Sequence, residues 1–127
     1  MKVIPVLMVV YKSKSNFWRG FCMPYGLDAQ ADSKEKARKI IEDLVSVYEQ
    51  RLKKYSYPEH LVKGKLFDKE DRGVFVKVWP KVSVKISEMI KKTSYNSYEN
   101  VIGGEKKITL NDVFVTYSNR SYSPSSC

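Results

Sequence analysis

The stretch from Val3 to Tyr11 carries no charged residue and constrains the rest of the chain. It is about one strand long, and its β-branched content favours extended backbone. It does not alternate apolar with polar, so both of its faces must be buried. Pro5 has no N–H to give a ladder, which places it near the strand start or at an edge. The run is far short of the roughly 18 residues a membrane span needs. It lacks a small-residue cleavage site and continues into charged sequence, unlike a secretory leader. The expectation is a strand in a cytoplasmic protein with no membrane partner.

Lys12 to Asn16 is a polar turn, and the aromatic-rich segment from Phe17 to Met23 completes a hairpin. Pro24-Tyr25-Gly26 signals another turn. Leu27, Ala29 and Ala31 alternate with Asp28, Gln30 and Asp32, as in a short strand with one polar face. Asp32, with Glu35 three residues on, resembles a capping box. Ala37, Ile40, Ile41, Leu44, Tyr48, Leu52 and Tyr55 then recur at spacings of three and four. That spacing predicts an amphipathic helix over residues 33–55, stopped by Pro58. Glu35–Lys39 and Glu49–Lys53 are spaced as i,i+4 ion pairs.

Residues 56–72 read as a loop. The alternating valines of 74–86 read as a strand bent or edged at Pro80. Lys107 to Leu110 and Val113 to Tyr117 read as two short strands about Asn111-Asp112, after a Gly103-Gly104 turn. The fold class expected is α+β: a small antiparallel sheet of three or four strands, with one long amphipathic helix on one face and a β-rich C-terminal extension. The domain division expected is 1–92, an extension over 93–117 packed on it, and a Ser-rich disordered tail over 118–127.

Chemical motifs exclude more than they assign. Cys22 and Cys127 are the only cysteines in 127 residues, so neither a disulfide framework nor a zinc cluster is expected. His60 is the sole histidine and has no orienting partner in the sequence, which disfavours a hydrolase triad. The first two strands carry no acid, and Asp28 and Asp32 alone cannot hold the metals of a nuclease. No Gly-Lys-Ser/Thr phosphate loop follows Gly103-Gly104. The expectation is a protein that is not an enzyme, with no cofactor and no metal.

Charge points to partners. Twenty-three Lys and Arg against 14 Asp and Glu leave a net +9, which invites nucleic acid or an acidic partner. The excess is spread: residues 1–60 hold eleven bases and seven acids, residues 61–127 twelve and seven. Strand alternation puts Phe17, Arg19 and Phe21 on one face and Trp18 on the other. Such a stripe can stack bases, pack a helix or anchor an interface.

The order of these pieces resembles the HicB-like antitoxin family. The resemblance rests on residues 17–37, where Pro24, Gly26, Asp32-Ser33 and Lys36-Ala37 stand in places comparable with the family's turn and acid-capped helix start. Tyr57-Pro58 and the Val-rich segment from Gly73 to Val78 extend it, so that it spans about residues 1–86. It implies a β-β-β-α-β order, a truncated ribonuclease-H-like fold without nuclease activity, and a protein that masks a small mRNA-interferase toxin. Residues 87–127 show no clear DNA-binding segment of the kind the family adds.

Two functional expectations follow. The first is occlusion of a small, toxin-like protein partner through Trp18, Arg19, Tyr25 and Asp28. The second is binding of nucleic acid, with Lys12, Lys14, Arg19, Lys77 and Lys85 supplying phosphate contacts beside the aromatics. A homo-oligomer paired through an edge strand at 74–86 is a third arrangement.

Overall fold

The computed structural model describes residues 2–93 and 101–122, with side chains described over 3–88 and 105–120. The elements are β1 (Lys2–Lys12), β2 (Trp18–Met23), β3 (Leu27–Ala31), α1 (Lys34–Lys54), α2 (Glu59–Val62), α3 (Lys69–Thr93), β4 (Val101–Leu110) and β5 (Val113–Tyr122). The fold is α+β, and the five strands form one antiparallel sheet in the order β3-β2-β1-β5-β4.

The apolar run is the central strand, and its period of two feeds two cores. Ile4, Val6, Met8 and Val10 pack with Ala37, Ile41, Val45 and Leu52 of α1. Leu7, Val9 and Tyr11 pack with Val78, Val82 and Ile86 of α3 on the opposite face. Both faces of the run are covered, as its unbroken hydrophobicity demands. The expected single helix layer is therefore two. Pro5 sits opposite Asn119 of β5, whereas pairing with β2 begins only at Leu7↔Met23. Inside the central strand it thus lies beyond the end of one neighbour, where no ladder donor is required.

Helix α1 matches the expected span, with a different cap and a rotated face. Ser33, not Asp32, is the N-cap, accepting from the Lys36 N–H at 3.2 Å. Asp32 instead pairs with the Lys36 ammonium at 3.1 Å. The buried stripe is Ala37, Ile41, Val45 and Leu52, while Ile40, Leu44 and Tyr55 are exposed. Gly20 of β2 makes the close approach: a Cβ there would lie 3.3 Å from the Ala37 carbonyl oxygen and from Ile41 Cβ. The helix is drawn close onto the sheet at a point where any side chain would require its neighbours to shift by a few tenths of an ångström.

The segment 74–86, expected as a strand, lies within α3. Val74, Val78, Val82 and Ile86 recur every four residues, and the last three are buried on the sheet. The valines satisfied a period of two and a period near 3.6 equally, and the uncovered sheet face decided between them. Asp68 accepts from the Asp71 N–H at 2.9 Å, so the charged cluster expected as a loop opens this helix. Pro80 removes one helical hydrogen bond, and its exposed position leaves the packed face intact.

The C-terminal region is integral to the sheet. β5 pairs with β1 along ten register positions, from Lys2↔Tyr122 to Tyr11↔Val113. Residues 118–122, expected in a disordered tail, belong to that strand; 123–127 lie outside the described residues, as do 94–100 of the expected extension. Gly103 and Gly104, expected in a turn, lie within β4. Asn111 and Asp112 both take positive φ, the backbone of a tight hairpin turn. Among the described residues no helix is long and apolar enough to cross a membrane.

Candidate functional site

The residues expected to meet a protein partner are largely occupied within the fold. Arg19 gives a bidentate pair to Asp71, with Nε at 2.9 Å and Nη2 at 2.8 Å. Its Nη2 also lies 3.5 Å from Asp28 and 3.7 Å from Asp68. Tyr11 donates to the same Asp71 carboxylate at 2.5 Å. Asp71 is fully buried, and the hydrogen bond from Arg19 raises the guanidinium's pKa. Arg19 thus ties β2 to α3, and it serves neither as a free interface cation nor as a free phosphate ligand. Asp28 is exposed at the border of this cluster.

Tyr25 is 3% exposed and donates to Glu49 Oε2 at 2.8 Å, where Arg120 Nε also arrives at 2.9 Å. Burial, then the Glu49 charge, raises the Tyr25 pKa. Trp18 packs on the α1 side against Phe114, and Lys34 stacks over that Phe114 ring at 3.6 Å. Phe21 is completely buried on the α3 side. The expected alternation along β2 holds, but both sheet faces are covered, so no open base-stacking sheet remains there.

The lysines behave differently. The β1–β2 turn is held down on α3 by Ser13, which donates to Glu70 Oε1 at 2.6 Å, and by the Lys14 N–H, which donates to Glu70 Oε2 at 3.0 Å. Tyr11–Asp71 anchors the strand just before it. Lys12 and Lys14 of this hairpin, Lys77 and Lys81 of α3 and the β4–β5 turn come together there. The result is a cleft of about 650 Å³. Its lining holds four lysines against two carboxylates, Glu70 and Asp112, over a floor of Val74, Val78, Leu110 and Val113.

Lys77, Lys81 and Lys85 follow one another at i,i+4, each step rising about 6 Å along the helix. From Arg72 to Ser87 the chain carries four cations and no acid. Among the described residues, none of Lys12, Lys14, Lys77, Lys81 and Lys85 forms an ion pair. Four of the expected phosphate ligands therefore converge here or continue the row, and Arg19 does not. Lys81 was not singled out from the sequence. The four-residue spacing of lysines was its signal, and it reads as a row only once the segment is helical.

A second concavity, about 540 Å³, lies at the other flank of α3, between the start of β1 and α2, with Phe75 and Trp79 on its wall. His60 is exposed on α2, and Cys22 is buried, with its thiol pKa raised by that burial. No three His, Cys, Asp or Glu side chains among the described residues are grouped to hold a metal ion. A scan against family models, a search of curated proteins and a search of solved structures each find no match to this chain.

Proposed function

We propose that this chain is a non-enzymatic nucleic-acid-binding protein that takes the phosphate backbone along the lysine cleft beside α3. The observation that carries this reading is that four lysines from two distant segments, with no ion pair among the described residues, line one cleft whose hairpin wall is fastened to α3 by bonds to Glu70 and by the buried Tyr11–Asp71 bond. Ammonium groups without carboxylate partners keep their field for a polyanion, and releasing its counterions drives binding. The row on α3 offers successive contacts along one strand of phosphates.

Fluorescence anisotropy of a labelled oligonucleotide across a salt series tests this. Affinity should fall linearly on a log–log plot, with a slope of about −0.7 to −0.9 per phosphate contact. Binding that is absent, or indifferent to salt, would remove the reading.

A second reading keeps the HicB-like expectation, in which the protein masks a small protein partner. Support comes from the β1-β2-β3-α1 order and from apolar residues turned outward on α3, where Val76 is 69% and Val84 58% exposed. The strand expected after α1 in that family's order is helical here. A stoichiometric complex that survives nuclease and is lost on Val76→Asp with Val84→Asp would favour this second reading.

A further inference from the structure

The cleft has a feature that phosphate binding alone does not require, namely its apolar floor. Val74 and Val78 come from α3, and Leu110 and Val113 flank the β4–β5 turn. Val74, Leu110 and Val113 are half-buried, so part of each side chain remains open to the cleft. A surface that only tracks a duplex backbone meets phosphates and sugars, and its bases stay stacked out of reach. A cavity with cations at its rim and aliphatic side chains beneath suits a ligand with anionic groups on one side and a flat apolar body on the other. At about 650 Å³ it lies within the size range of ligand sites and can hold a nucleobase with its sugar and phosphate.

The cleft also offers polar groups to a base edge. Asn111 and Asp112 line the cleft at the hairpin turn, and Glu70 lines it at the helix start. The positive φ of Asn111 and Asp112 fixes that turn at the cleft mouth. The floor is aliphatic, so the base would be held by burial of its face rather than by ring stacking.

Resting on the nucleic-acid reading above, we infer that the cleft is specific for single-stranded nucleic acid and takes one unpaired base onto the Val74–Val78–Leu110–Val113 floor, while Lys12, Lys14, Lys77 and Lys81 hold the flanking phosphates. A duplex cannot present a base face without breaking a pair, so it should be discriminated against.

The test compares three probes on the intact protein: a short oligothymidylate, its duplex with oligoadenylate, and an abasic strand of equal length and charge. The single strand should bind about tenfold more tightly than the abasic strand. The duplex should fall below the single strand as well. Leu110→Ser should bring the oligothymidylate down toward the abasic strand and leave the abasic affinity unchanged. Equal, salt-sensitive binding of all three probes would overturn base insertion while leaving the phosphate reading standing. Failure of every probe to bind would overturn both. The probe comparison needs no variant, so it decides the matter even if Leu110→Ser misfolds.

Discussion

Helices α1 and α3 lie on opposite faces of one sheet and use their carboxylates differently. At the start of α1 the acids pair with neighbouring cations: Arg38 reaches Glu42 at 3.2 Å and Glu35 at 3.9 Å, and Lys36 reaches Asp32. On α3 the two acids of the first turn, Glu70 and Asp71, anchor the β1–β2 hairpin, and Lys77, Lys81 and Lys85 form no ion pair among the described residues. Lys39, Arg51, Lys53 and Lys54 of α1 form no ion pair among the described residues either. The difference lies in placement: Lys77 and Lys81 of α3 share one cleft with Lys12 and Lys14 of the hairpin.

The sharpest way to break this comparison is through the two anchoring carboxylates. Asp71 is fully buried, and removing it leaves Arg19 uncompensated and Tyr11 without its acceptor. Asp71→Ala should cost about 3–5 kcal/mol in urea unfolding. Glu49, the counterpart on α1, has a quarter of its side chain exposed. Glu49→Ala should therefore cost less, about 1–3 kcal/mol. Equal losses would show that the two faces are anchored alike.

A backbone contact offers a comparable effect. Gly64, in the segment between α2 and α3, donates to the Pro24 carbonyl at 2.6 Å, and a Cβ there would overlap the Tyr25 carbonyl oxygen. Gly64→Ala should destabilise by about 1–3 kcal/mol, as overpacking does. Gly73, on α3 with open space around it, should accept alanine with a gain of up to about 1 kcal/mol.

Alkaline titration probes both anchors at once. Burial, followed by the neighbouring Asp71 or Glu49, raises the pKa of Tyr11 and Tyr25. Their folded values lie above the unfolded value of about 10, so the neutral phenol is the form the fold favours. The stability they add is complete below that pH and is lost as pH climbs past it. Phenolate absorbance should show Tyr11 and Tyr25 ionising only as the near-ultraviolet dichroism of the folded state disappears. The smallest effect belongs to the exposed pairs of α1: Arg38→Ala should change stability by less than about 1 kcal/mol.

The sequence carried the sheet's centre, the hairpin at its start, α1 to within a residue at each end, and the turn at Asn111-Asp112. These are places where one period or one turn chemistry dominates. It misled over 74–86, where valines fit strand and helix alike, and only a sheet face needing cover favoured the helix. The candidate site was half legible for the same reason. Lys12, Lys14, Lys77 and Lys85 stand out in the sequence as candidate phosphate ligands, whereas Lys81 waits on the helical spacing. Arg19 and Tyr25 look available because nothing local reveals a distant partner, Asp71 for Arg19 and Glu49 for Tyr25.

The most direct measurement is a charge-matched pair of variants followed by oligonucleotide titration at several salt concentrations. Lys77→Gln with Lys81→Gln and Lys36→Gln with Lys39→Gln each remove two positive charges, from α3 and α1 respectively. The α3 pair should weaken binding at least tenfold and flatten the salt slope by about 1.4 to 1.8, two phosphate contacts' worth. The α1 pair should leave the slope unchanged. Equal losses from both pairs would mean that net charge alone attracts the ligand and that the cleft beside α3 is not its site.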